Sequence, residues 1–179
     1  MSYISSMKNL LTIILSLLPS IVLTQNTNLE RLFIERVNTV RDSVGVSPLF
    51  LIEEYREISN NHVSYILRTG HVSHDQIGTT TPNSVKRAEK YSDGELGSYS
   101  EILTYNTSTL NNDTLIVNKF IKSFLSSEQH KNLLLSDTQG SCTVAIYHST
   151  NKNICVVNFT RSTYYNGKYA KYDWSYFSD

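Results

Sequence analysis

Two β-rich runs, Cys142 to His148 and Asn153 to Arg161, flank the polar tetrapeptide Ser149-Thr150-Asn151-Lys152, and no other feature constrains the fold of this chain as strongly. Runs of this length, rich in Val, Ile, Thr and aromatic residues and separated by turn formers, predict an antiparallel hairpin. Much of what precedes it has helical periodicity. Leu29, Phe33, Val37, Val40 and Val44 form one stripe between Glu and Arg residues, which predicts an amphipathic helix ending near Gly45. After Ser47-Pro48, a second stripe of Leu51, Tyr55, Ile58, His62 and Ile66 stops at Gly70. Ser84 to Tyr91 reads as a short helix and Ser100 to Tyr105 as a brief extended piece. Ile116, Val117, Phe120, Ile121 and Phe124 mark the buried face of a further helix.

The N-terminus reads differently. Met1 to Lys8 carries one charge and Leu10 to Leu23 is almost wholly apolar, the pattern of a secretory signal peptide, with cleavage expected after Thr24. The apolar run is shorter than the ~20 residues needed to span a bilayer and is broken by Pro19, so an uncleaved anchor is the weaker reading. Residues 1–24 are therefore assigned to a leader, 25–161 to one domain and 162–179 to a Tyr-rich tail, and the product is expected to be secreted with no stable membrane span. Loss of Lys8 leaves 15 basic residues against 16 acidic ones. A net charge of about −1 implies no polyanion-binding surface and excludes nucleic acid as a partner.

An oxidising compartment permits a disulfide between Cys142 and Cys155. With the turn at Ser149 to Lys152, Cys155 faces Ile146, and Cys142 lies four residues, ~13 Å, along the strand, beyond bridging reach. A register centred near His148 would join them, and the sequence leaves both open. Three glycosylation sequons begin at Asn106, Asn112 and Asn158. Asn, Ser and Thr are abundant enough here that three sequons carry no independent argument for export.

Chemistry concentrates at histidines. Gly70-His71-Val72-Ser73-His74-Asp75 follows the second helix, and His130 lies within Ser127-Glu128-Gln129-His130-Lys131-Asn132-Leu133-Leu134. His62, on an apolar helix face, reads as a hydrogen-bonded core histidine, and His71 as an exposed loop residue. In chain order, Val37-Asn38 with Arg41, Gly45-Val46-Ser47-Pro48-Leu49, His62, Ser73-His74-Asp75, Glu101-Ile102, His130 and the closing hairpin resemble the CAP superfamily in its short bacterial form. This superfamily is also called SCP-like, or cysteine-rich secretory, antigen 5 and pathogenesis-related. The resemblance covers about residues 29–160.

That resemblance implies an α+β fold, an α-β-α sandwich with a central antiparallel sheet. It also implies a cleft holding two histidines and usually two acidic residues, which in some members bind zinc. His74 and His130 take the histidine places and Glu101 one acidic place. Departures from the pattern are plain: Glu101 has Ser100 and Ile102 beside it where Gly-Glu-Asn is common, and Phe124 stands where a tryptophan is usual. The second acidic place has only Glu128, at a different offset, and Asn132 follows His130 by two positions rather than three. Arg41, in the family's Asn-x-x-Arg, is expected to cap the first helix or pair with a carboxylate beneath the next loop, at ~1–2 kcal/mol.

Two neutral imidazoles, His74 and His130, can supply nitrogen ligands to zinc, with Glu101 orienting one of them; a plain hydrogen-bonded cluster competes with that reading. No catalytic residue is assigned, because no Ser or Cys nucleophile sits beside a histidine in a recognisable elbow and no zinc-protease helix motif occurs. At family level the resemblance implies a lipid, sterol or protein ligand. The expected function is a secreted, non-catalytic binding module with a weak divalent-cation site. The alternative is a secreted hydrolase using the His74, His130 and Glu101 cleft. The tyrosines of the tail, Tyr164, Tyr165, Tyr169, Tyr172 and Tyr176, offer either an amphipathic contact surface or simple packing.

Overall fold

Alternation of apolar side chains along the hairpin strands is what builds this molecule from the middle outward. The computed structural model describes residues 27–96 and 99–161, with the backbone of 164–165 and 168–169. The expected leader and the tail tyrosines, apart from that backbone, lie outside the described residues. Strand β3 (Ser141–Ser149) and strand β4 (Lys152–Thr160) pair antiparallel from Ser141↔Thr160 to Ser149↔Lys152, and the turn is Thr150-Asn151. Both strands are apolar on both faces, so each face needs its own cover. Strand β2 (Tyr99–Asn106) pairs antiparallel with β4, and the two-residue strand β1 (Phe50–Leu51) pairs parallel with β3, giving the order β1-β3-β4-β2. Residues 164–165 (β5) and 168–169 (β6) form a separate two-stranded pair.

Helices cover each face. On one, α1 (Thr27–Ser43), α4 (Asp113–Ser126) and α5 (Glu128–Leu134) bury Leu29, Phe33, Phe120 and Phe124 against Ile102, Val144, Val157 and Phe159. On the other, α2 (Glu57–Thr69) lays Val63, Tyr65 and Ile66 on Leu103, Ala145, Ile154 and Val156. A short α3 (Ser84–Tyr91) packs Ala88 with Ile58, Tyr55 and Leu96. The result is an α+β fold in three layers, as the resemblance implies, with one parallel edge pair that the sequence does not announce. Among the described residues no helix is long and apolar enough to cross a membrane.

Helix ends follow side-chain chemistry. Asn83, Asn112 and Ser127 each accept a hydrogen bond from a backbone N–H two or three residues into their helices, and Gly70 closes α2 with φ +71°. Gly45, at φ +75°, turns the chain out of α1 before the stripe is complete, so Val44 is 55% exposed rather than part of the core.

Two possibilities that the sequence leaves open do not fit the described fold. The hairpin register sets Cys155 against Ile146 and Cys142 against Phe159, so the candidate disulfide is not made, and both cysteines are free and buried. Burial pushes the Cys142 thiol up to about 12 and the Cys155 thiol well above its ordinary value. The sequon at Asn158 falls in the middle of β4. Asn158 is 3% exposed and donates through Nδ2 to Ser59 Oγ at 3.0 Å, so a glycan there is incompatible with the fold. Asn112 is exposed at the start of α4, and Asn106 is half-buried at the end of β2.

Arg41 neither caps α1 nor, among the described residues, meets a carboxylate within ion-pair distance. The guanidinium is fully buried and donates Nε to Ser47 O at 2.7 Å, Nη1 to Leu134 O at 2.6 Å and Nη2 to Gln139 O at 3.0 Å. The carbonyls at the end of α1 are satisfied by the backbone N–H groups of Val44, Gly45 and Val46. Arg41 thus ties the loop that follows α1 and the distant stretch from Leu134 to Gln139 to the end of one helix.

Candidate functional site

The site begins with a carboxylate that the strand period turns inward. Glu101 lies on β2 between Ser100 and Ile102, on the same face as Leu103, and its side chain is 2% exposed. A buried carboxylate requires partners. Oε1 accepts from His74 Nδ1 at 2.9 Å and Oε2 from Arg87 Nη2 at 2.5 Å. Arg87 comes from α3, is itself fully buried, and also approaches His74 O at 3.4 Å through Nη1 and Nη2. Burial alone would raise the Glu101 carboxyl. The hydrogen bond from His74 and the Arg87 charge outweigh it and hold the group below the usual carboxylate range.

His62 supports this pair from α2. Its Nε2–H donates to Ser73 O at 2.8 Å, and its Nδ1 accepts from Gln76 Nε2 at 3.1 Å, so both ring nitrogens are satisfied in one neutral tautomer. Gln76, 2% exposed, also donates to Asn61 Oδ1 at 3.1 Å, and its own backbone N–H donates to Pro82 O at 2.7 Å. These bonds pin the loop between α2 and α3, and through Ser73 they hold His74 in place. Ser73 Oγ accepts from the Asp75 backbone N–H at 3.2 Å, a turn contact within the loop. His71 stands exposed with its ring edge-on to Tyr65, 6.4 Å between centroids.

His74 and His130 lie ring to ring, with centroids 6.5 Å apart at 70°. The His74 side chain is 52% exposed, and with Nδ1 bound to Glu101 its Nε2 is left for the cleft. His130, on α5, rests edge-on against Phe124 at 5.7 Å. The Glu101 hydrogen bond raises the His74 pKa, whereas burial, with a smaller effect from the His74 charge, lowers that of His130. Glu128 is exposed at the start of α5.

Zinc is the metal that the resemblance implies. A closed structural site takes four protein ligands and a catalytic one three. Both oxygens of Glu101 are already engaged, and among the described residues no three His, Cys, Asp or Glu side chains are grouped to hold an ion. The residues present fit a two-nitrogen anchor and not a complete centre.

Three helices on one face of a short mixed sheet and two on the other form an arrangement shared with known structures. An outer surface protein from Borrelia burgdorferi superposes with a TM-score of 0.62 at 18% identity, over 74% of this chain and 92% of that one. An extracellular protein from Bacillus anthracis containing an SCP domain superposes with a TM-score of 0.62 at 15% identity, over 76% of this chain and 41% of that one. A cysteine-rich secretory protein from Staphylococcus aureus gives 0.58 at 15% identity, over 78% of this chain and 40% of that one. The chain has the CAP fold. No family model and no curated protein sequence matches it. At these identities the likeness speaks for the CAP scaffold, and the side chains of its cleft stand on their own geometry.

Two residues of this CAP cleft escaped the sequence reading. Arg87 looked like one more charge on a short polar helix, and its signal lay elsewhere: a glutamate on the inward period of a strand needs a buried cation. The second is Ser59, whose Oγ meets Thr143 Oγ1 at 2.7 Å and Asn158 Nδ2 at 3.0 Å. Thr143, Asn158 and Glu101 are register partners across β3, β4 and β2, so a polar row crosses the sheet beneath α2 and ends at the cleft.

Titration of the two loop-side histidines is expected to oppose. Burial lowers the His62 pKa, so its contribution to stability is present above about pH 6.5 and is lost as pH falls. His74 is raised, so its contribution is present below about pH 6.5 and is lost as pH rises through the raised value. Denaturant midpoints measured from pH 7 to pH 5 should therefore decline less steeply in His62→Gln than in the parent and more steeply in His74→Ala. Parallel declines in all three proteins would remove both histidines from the account.

Proposed function

We propose that the protein is an extracellular, non-catalytic binding module of CAP type, taking a lipid, sterol or protein ligand, with a weak divalent-cation anchor at His74 and His130. One observation carries the reading: the cleft carboxylate of Glu101 has both oxygens committed to His74 and Arg87, and its pKa is held low. A carboxylate so engaged orients an imidazole rather than accepting a proton from substrate. The Ser73 hydroxyl is turned to the Asp75 backbone, away from the role of a nucleophile activated by an adjacent base. The N-terminal leader and the surface or extracellular character of the similar Borrelia and Bacillus proteins support export.

Calorimetric titration of zinc into the purified domain at pH 7.5 and pH 5.5 tests the anchor. Weak binding is expected at the higher pH and its loss at the lower, because both histidines must be neutral to bind and His74 holds its proton more tightly than usual. His74→Ala and His130→Ala should each weaken binding ~10-fold or more. Parental affinity in both variants would reject the anchor. Mass spectrometry of molecules that co-purify with secreted material addresses the ligand class.

A further inference from the structure

A second concavity is lined in part by the same loop that presents His74. It has a volume of about 200 Å³ and is lined by residues of α2, α3 and the intervening loop, among them Ser64, Arg68, Thr80, Lys90 and Tyr91. No carboxylate lines it, and among the described residues neither Arg68 nor Lys90 is ion-paired. Two unneutralised cations around one depression attract anions.

Hydrogen-bond accounting sharpens the chemistry. Gln76, at the pocket wall, spends Nε2 on Asn61 and His62, and its Oε1 accepts from Thr81 Oγ1 at 3.2 Å and Thr79 Oγ1 at 3.4 Å. The wall is thus fixed and internally satisfied. Tyr91 OH accepts from Asn61 Nδ2 at 2.9 Å, which leaves its own proton to donate. Lys90 Nζ is held over the Tyr91 ring, 5.1 Å from its centroid. The lining is therefore rich in donors: a guanidinium, an ammonium and the phenol, with the hydroxyls of Ser64 and Thr80 able to donate as well as accept. Such a set matches an acceptor-rich anion with several oxygens, which Arg can engage in bidentate fashion. The volume is below that of drug-sized sites and suits a small ligand.

We propose that this pocket binds a small soluble anion of the phosphate-ester or diphosphate class, held by Arg68 and Lys90. The pocket and the histidine cleft share the Gln76 and His62 hydrogen bond, so occupancy of one is felt at the wall of the other.

Inorganic pyrophosphate is the probe. Titration followed by nitrogen-15 NMR of the histidine rings, at physiological ionic strength, should give saturable binding that shifts the His62 signals. Arg68→Gln combined with Lys90→Gln should weaken binding at least tenfold, and Ser64→Phe, which fills the pocket from exposed α2 without altering charge, should abolish it. Lys122→Gln, on α4, should bind as the parent. The proposal is overturned if pyrophosphate fails to bind, if it binds equally to Ser64→Phe, or if the protein binds phosphatidic acid vesicles but not the soluble anion. It is equally overturned if Lys122→Gln loses as much affinity as the double variant.

Discussion

Glu101→Leu is expected to lower the stability of the fold by about 3–5 kcal/mol, the cost of leaving a buried charge without its partner. Arg87 is fully buried, and Glu101 Oε2 at 2.5 Å is its one ion-pair partner among the described residues. Against a total stability of about 5–15 kcal/mol, that loss brings the protein near its unfolding threshold. The same variant takes away the hydrogen bond that raises the His74 pKa, so the imidazole should titrate closer to its ordinary value. Adding Arg87→Met removes the stranded charge, and the Glu101→Leu, Arg87→Met protein should recover much of the loss. Urea denaturation of both proteins decides the point: an equal deficit in the two would mean that the ion pair is not the source of the destabilisation.

Arg41→Met should cost a similar amount, about 3–5 kcal/mol, through a different route. The buried carbonyls of Leu134 and Gln139 and the part-buried one of Ser47 lose their donor together, and each buried unsatisfied group costs roughly 1–3 kcal/mol before relaxation. Arg41→Lys should recover only part of this, because a single ammonium cannot match the planar fork. A denaturation midpoint that does not move in Arg41→Met would show that these carbonyls find other donors. Arg41 bonds the end of the helix that carries His130 but neither imidazole of the pair, so zinc binding by folded protein should stay at the parental level.

What the sequence disclosed, and what it hid, follow from the range of the interactions. Local periodicity is enough for α3, which spans Ser84–Tyr91 as read, for the buried face of α4 and for the hairpin about its turn. Strand β1 leaves no such trace: two residues have no period, and Phe50 and Leu51 are strand only because β3 lies beside them. Leu51 and Tyr55 continue the stripe of α2 in sequence, yet the helix begins at Glu57, because pairing with β3 claims the chain first. The cleft divides in the same way. His74, Glu101 and His130 are visible as a spaced set in a familiar order, whereas the Arg87 to Glu101 bond spans 14 residues and the Arg41 to Gln139 bond 98, and both involve side chains that look like ordinary surface charges. The sequon at Asn158 misleads for a related reason: a three-residue motif contains no information about burial.

The register of the hairpin has a bearing on how this chain must be handled as it folds. Cys142 and Cys155 are four residues out of step, and four is even, so sliding one strand past the other by that amount moves the turn toward His148 while leaving every side chain on its own face. The inward and outward pattern cannot reject the shifted pairing. Only tertiary neighbours can, chiefly β2 along β4 and β1 along β3, and these arrive from distant parts of the chain. A sulfur–sulfur bond formed before they arrive would latch the shifted hairpin, whereas the free thiols, once buried and held protonated, no longer react. In an oxidising compartment the order of events therefore matters: pairing of the outer strands has to outrun thiol oxidation.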